Sequence, residues 1–251
     1  MLGYEGLGEE LSVPLTEGGD GSSTGRLEAM LAGVFGGDVS AEAVRELAQS
    51  MTRVELTRRD KIVPPDQGGA WFAIVTEGVV VYRRRLATGD SSIVDIIDAG
   101  NVVGDLDGRF ADGRGTLDMQ CASQHAVIYQ GHSRDFDAWL QRHPAAAWPA
   151  IAHAFMMRRK AIDDFGQQIS RSIPGRVAAL ILRLTNAFGQ SDGDVIVVQH
   201  GLTQGELATS IGATRESENK AQNEFAAQGW TGLRTGALII KDTHALAEQT
   251  R

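Results

Sequence analysis

The sequence predicts an α+β protein: a β-rich N-terminal half, one long helix, and a C-terminal winged helix-turn-helix. Three observations predict it. Residues 54–106 carry short β-rich runs, WFAIV, VVVYRR and SIVDII, separated by Gly, Asp and Pro turns, the spacing of a small antiparallel roll or barrel. Residues 145–172 repeat apolar side chains at three- and four-residue steps, which marks an amphipathic helix. Residues 203–240 read as two short helices around a tight turn, followed by two short strands.

With 251 residues, 42% of them hydrophobic, the chain exceeds one typical domain of about 100–150 residues and can bury two modest cores. The pattern divides it into a flexible tail over 1–25, a β-roll domain with flanking helices over 26–143, a dimerisation helix over 144–171 and a DNA-binding domain over 172–251. The tail is polar and glycine-rich, and its GGDGSSTG run lacks the lysine of a phosphate-binding loop. Leu27, Met30 and Leu31, then Val44 and Leu47, lie at helical spacing, so two short helices are expected before the roll.

In the long helix, Trp148, Ile151, Phe155, Ile162, Phe165 and Ile169 form the stripe, with Arg158 at its missing place. A helix of this length between two domains has apolar surface to spare, which favours a parallel homodimer seam over packing on its own core. The segment Ser172-Ile173-Pro174-Gly175 is expected to end it as a hinge, because proline lacks an N–H and disfavours helical geometry in the residue before it. The strand VIVVQHG then leads into Leu202.

Within residues 203–227, Leu207 is expected to face inward, Ala208 is small where the helices cross, and Gly212 sits at the turn. A left-handed backbone there would cost a residue with a side chain roughly 1 kcal/mol or more. Thr214 is placed to cap the second helix and Ser217 keeps its first turn polar. Arg215, Glu216, Asn219 and Lys220 then occupy the exposed N-terminal face, the end that enters a major groove. Arginine forks to guanine, glutamate accepts from the cytosine amine and lysine reaches phosphate or guanine, each good pairing discriminating by about 1–3 kcal/mol. Arg215 and Glu216 are therefore the candidate base contacts, Lys220 and Thr214 contact base or phosphate, and Thr203 and Gln204 position the first helix on the DNA backbone. An ordinary helical hairpin with a solvated charged face is the competing reading. TGLR, a Thr235-Gly236 turn and ALIIK supply a two-stranded wing.

The run GATRESENK, then EFAAQGW and a wing, resembles the C-terminal domain of the Crp/Fnr family of bacterial transcription regulators, through Thr214, Arg215, Glu216 and Lys220. Gly78 and the phrase AGNVVGDL resemble the family's double-stranded β-helix, a jelly-roll-like sensor domain, so the likeness spans about residues 45–245. It implies a homodimeric regulator that reads a near-palindromic site in double-stranded DNA, works with RNA polymerase and answers to an effector in the roll. In cyclic-nucleotide-binding relatives a Gly-Glu pair takes the ribose and an arginine followed by a hydroxyl residue holds the phosphate. Gly104 and Asp105 stand in for the pair, and Arg114 with Thr116 is the candidate clamp. A cyclic nucleotide, another small molecule and no ligand remain open alternatives, and an ion-paired solvated loop explains the same residues.

Two departures weigh against a simple reading. Glu218 and Gln222 stand where the family prefers apolar side chains between the helices. A buried unpartnered carboxylate would cost about 1–3 kcal/mol, although the i, i+4 spacing lets the two bond to each other at the helix surface. A ligand-binding or protein-interaction module with weakened DNA binding is the alternative function.

The net charge is −8, yet Arg171, Arg176, Arg183, Arg215, Lys220, Arg234, Lys241 and Arg251 balance the acids from residue 171 onward. A neutral DNA domain implies modest non-specific affinity, with binding resting on the recognition helix and on bivalency. The lone Cys121 cannot form an internal disulfide or supply the four thiolates of an iron–sulfur cluster, and reads as a small buried residue. His125, His132, His143 and His153 have no spacing that singles out a haem ligand. Asp95, Asp98, Asp105 and Asp107 crowd one stretch, but strand alternation puts neighbouring acids on opposite faces, so no metal site and no enzyme is expected. Without an apolar run of the ~20 residues a bilayer helix needs, and with a start, MLGYEGLGEELS, unlike a signal peptide, a cytoplasmic protein is expected.

Overall fold

A computed structural model describes residues 23–65, 69–85, 91–105 and 117–251. The two helices expected before the roll are α1 (Ser23–Phe35) and α2 (Ala41–Gln49). Ser40 starts α2 by accepting a hydrogen bond from the Ala43 amide at 3.2 Å, which satisfies one of the donors that a helix N-terminus leaves open.

The roll is built from β1 (Thr52–Thr57), β2 (Trp71–Glu77), β3 (Val80–Arg85), β4 (Ser91–Ile97), β5 (Val102–Asp105), β6 (Leu117–Cys121) and β7 (His125–His132). They form two antiparallel sheets, ordered β1-β7-β2-β5 and β4-β3-β6. The WFAIV, VVVYRR and SIVDII runs supply β2, β3 and β4 as expected. Gly78 joins β2 to β3 at φ +78°, and a Cβ there would stand 2.3 Å from the His125 carbonyl oxygen. Glycine is the residue that permits both the left-handed backbone and the close approach.

Between the sheets lie Leu56, Ala73, Val75, Val80, Val103, Cys121 and Ile128, the alternate residues that a pleated strand turns to one side. On the outer face of β2 and β7, α1, α2 and α3 (Ser133–Arg142) bury a second apolar cluster. Its centre is Trp139, whose indole N–H donates to the Ala43 carbonyl at 2.9 Å, so the ring is buried without leaving its one donor unsatisfied.

The long helix is α4 (Ala147–Ser170). The break expected at Ser172–Gly175 falls slightly earlier: Arg171 is extended (ψ 149°) and Ser172 caps a further helix, α5 (Ile173–Phe188). Pro174 therefore sits in the first turn of α5, where its missing N–H would have had no partner in any case. The C-terminal domain continues with β8 (Gly189–Asp192), β9 (Val195–Val198), α6 (Gln204–Ser210), α7 (Arg215–Ala227), β10 (Thr231–Arg234), β11 (Ala237–Ile240) and α8 (Thr243–Gln249). Its sheet runs β10-β11-β9-β8. The wing turn is made by Thr235 (φ 52°) and Gly236 (φ 79°), the two left-handed residues of a tight hairpin.

The two halves share a core. Val79, Val81, Ile93 and Ile96 of the roll are continuous with Val177, Leu180, Ile181, Leu184, Leu202, Leu207 and Phe225 of the C-terminal domain. β4 thus packs its outward face on α6.

Candidate nucleic-acid interface

The helix-turn-helix consists of α6, its turn and α7. Thr203 and Glu206 close a reciprocal cap at the start of α6: the Glu206 amide donates to Thr203 Oγ1 at 3.2 Å, and the Thr203 amide donates to Glu206 Oε2 at 2.8 Å. Two orphan N–H groups are satisfied at once. The turn closes through the Ala213 amide to the Ala208 carbonyl at 2.9 Å. Gly212 has φ +62°, as the tight turn required. Thr214 caps α7 through the Ser217 amide at 3.2 Å.

Leu207 and Ala208 of α6 are buried, as are Ala221 and Phe225 of α7. Phe225 stacks on Trp230 with ring centroids 5.5 Å apart, which pins the C-terminal half of α7 against the wing. Arg176 Nη1 donates to the Ile211 carbonyl at 3.2 Å and Gln168 Nε2 to the Ser210 carbonyl at 2.9 Å. These bonds hold the end of α6 to α5 and α4.

With the inner face fixed, helical spacing leaves Arg215, Glu216, Asn219 and Lys220 on the outside, all exposed. Among the described residues none of their side chains is held in a hydrogen bond or ion pair. Thr203 and Thr214 are exposed caps, while Gln204 is only partly exposed, with its Oε1 buried and without a hydrogen-bond partner among the described residues. Asn223, which the sequence reading passed over, is exposed one turn beyond Asn219. The i, i+4 spacing of the two amides was the available signal.

Glu206 is a second residue that the sequence reading passed over, although the Thr203-x-x-Glu206 pattern is a readable capping box. Its other oxygen, Oε1, pairs with the Arg83 guanidinium of β3 and lies 3.4 Å from Ser91 Oγ of β4. Nearby, Arg183 of α5 pairs with Asp95 and donates to the Ile96 carbonyl at 2.9 Å. Burial holds the His200 imidazole below its ordinary range, and the Arg58 charge adds to the effect. Its Nδ1 accepts from the Leu202 amide at 3.0 Å.

Glu218 is fully buried, so its bond to Gln222 is not made at the helix surface. Gln222 does donate to its Oε1, whereas Oε2 has no partner among the described residues. Burial pushes its carboxyl above the ordinary value; the Gln222 bond and the Arg215 charge oppose this only in part.

In the roll, Asp105 is buried at the end of β5, paired in register with Trp71, and the Gly104 amide donates to the Tyr82 hydroxyl at 3.0 Å. Arg114 and Thr116, the other half of the expected effector site, lie outside the described residues. Cys121 is buried, and burial raises its thiol above the ordinary range.

Residues 175–249 match the Crp-like helix-turn-helix domain family. Over 223 residues the chain is 29% identical to the CRP-like cAMP-activated global transcriptional regulator of Mycobacterium tuberculosis, across 88% of this chain and 97% of that one. The chain carries a Crp-like helix-turn-helix domain and is similar along most of its length to a CRP-like regulator. It is a Crp-like transcription regulator, with a helix-turn-helix DNA-binding domain and a cyclic-nucleotide-binding-like domain. Its fold is shared with a CRP-family transcriptional regulator from Thermus thermophilus, TTHB099 (TM-score 0.63, 18% identity, 78% of this chain and 96% of that one). FixK2 from Bradyrhizobium japonicum has the same fold (TM-score 0.61, 14% identity, 79% and 96%). Despite the polar Glu218 and Gln222, α7 keeps its packing through Ala221 and Phe225. No described helix is long and apolar enough to cross a membrane.

Proposed function

We propose that this regulator binds a near-palindromic DNA site as a homodimer, through Arg215, Glu216, Asn219 and Lys220 in the major groove. The observation that carries the reading is an outer α7 face whose polar groups are unengaged among the described residues, beside an inner face that is buried. Arg215 and Glu216 read base edges, Lys220 and Thr214 meet base or phosphate, and Thr203 and Gln204 seat the first helix on the backbone. RNA polymerase is the partner that the family resemblance implies.

The second copy is seated on α4. Trp148 is 74% exposed, Phe155 69%, Phe165 64% and Ile169 65%, a contiguous apolar stripe of the kind a monomer rarely leaves in water. Pairing two such stripes sets the recognition helices about 34 Å apart, one DNA turn. In this protein Phe155→Glu with Phe165→Glu should convert a dimer into a monomer in sedimentation equilibrium and abolish binding to a two-half-site duplex. A wild-type chain that sediments as a monomer at micromolar concentration overturns the assignment of α4.

The effector acts in the roll, where Gly104 and Asp105 close one end of β5. A cyclic nucleotide is the candidate, because the mycobacterial relative is activated by cAMP and the buried acid can accept a ribose hydroxyl. The shorter side chain of Asp105 sets the carboxylate farther from a ligand than a glutamate would. A gel-shift on fragments upstream of the protein's own gene, with and without cAMP, tests DNA binding and effector together. Equal retardation in both lanes removes cAMP from the reading and leaves DNA binding standing.

A further inference from the structure

Glu216, Asn219, Lys220, Asn223, Glu224 and Ala227 line one open face along α7. The predicted contacts use only the first part of it. Asn223 lies one turn past Asn219, is exposed, and its amide makes no hydrogen bond among the described residues. A carboxamide presents a donor and an acceptor side by side, the pattern that pairs with adenine N6 and N7. The rise from Glu216 to Asn223 is about 10 Å at 1.5 Å per residue, within the ~12 Å width of the major groove.

We infer that Asn223 is a specificity-determining residue that reads an A·T pair in the operator half-site, beyond the bases assigned to Arg215 and Glu216. Two neighbours separate base reading from backbone contact. Glu224 is exposed beside it, and a carboxylate repels phosphate, so this part of the helix is unsuited to the DNA backbone. Ala227 follows one turn later on the same face, and its small side chain lets the helix lie deep enough for Asn223 to reach a base edge. The C-terminal half of α7 is also rigid. Phe225 is buried and stacked on Trp230, and the Trp230 amide donates to the Phe225 carbonyl at 3.0 Å. Asn223 is thus presented on a fixed element, which a base contact needs more than a phosphate contact does.

The inference rests on the proposed DNA-binding function, and its failure is distinguishable from the failure of that function. Full-length wild type, Asn223→Ala and Arg215→Ala are each put through selection from a randomised duplex pool, with melting temperatures measured in parallel. Wild type is expected to enrich a two-fold motif. Asn223→Ala should melt as wild type does and lose an adenine preference at one symmetric pair of positions, by roughly fivefold to a hundredfold, with the rest of the motif intact. An unchanged motif overturns the inference. So does a uniform loss of affinity with a shallower salt dependence, which marks a phosphate contact. If wild type enriches no motif, the DNA-binding function falls as well, and Arg215→Ala will show no difference from it.

Discussion

The two helices of the helix-turn-helix are similarly polar in sequence and behave in opposite ways. α6 is anchored at almost every polar group. Glu206 caps its first turn and pairs with Arg83 of the roll, Thr209 Oγ1 donates to the Gly205 carbonyl at 2.9 Å, and Ser210 Oγ to the Leu207 carbonyl at 2.8 Å. α7 spends its cap on Thr214 and its inner face on Ala221 and Phe225, and leaves its outer charges and amides without partners among the described residues. A polar side chain therefore says little about binding until its neighbours are known. The anchored helix sets orientation, and the unengaged one is available for a ligand.

The largest expected effect comes from breaking the anchored side. Glu206→Ala removes both the cap and the partner of a mostly buried arginine, and should lower unfolding stability by about 2–4 kcal/mol. Urea denaturation measures it. Arg83→Ala keeps the cap and should cost less, because the capping box survives. Equal losses in the two variants would mean that the bridge to the roll outweighs the cap.

On the unengaged side the expectation reverses. Arg215→Ala should leave the melting transition where it is and reduce discrimination between operator and non-operator duplexes by about 1–3 kcal/mol. A large drop in stability would show that Arg215 is a structural residue, and the contrast between the helices would be lost.

Glu218 sharpens the comparison, since it is the polar group of α7 on the wrong side. Glu218→Leu should raise stability at neutral pH by about 1–2 kcal/mol, by removing a carboxylate with an unbonded oxygen from the interior. In the native protein its folded-state pKa lies above the ordinary 4.5, so protonation favours the folded state. Its contribution is whole below 4.5 and is lost as pH rises from there through the raised value. Stability measured across mildly acidic to neutral pH should therefore fall more in wild type than in Glu218→Leu. Parallel curves would show that Glu218 has a partner in solution.

Much of this was legible in the residues. Gly212, Thr214, Leu207 and Ala208 specify the turn, the cap and the packed face of α6, because these depend on backbone sterics and helical period. The β2, β3 and β4 runs, the α4 stripe and the Thr235-Gly236 hairpin follow from the same local rules. α3, α5 and α8 were not read. Their apolar positions lie beside residues such as Pro174 and the Asp242 cap, which obscure the period.

The chain's sequence by itself determined which segments are helix or strand, and which residue types crowd the front of α7. Only the tertiary structure decided that Glu206 belongs to the roll as much as to its own helix, that Glu218 is sealed inside and that Asn223 is outside. Propensity and period act over a few residues. Burial and ion pairing bring together groups as far apart in the chain as Arg83 and Glu206, and only folding fixes which of them meet.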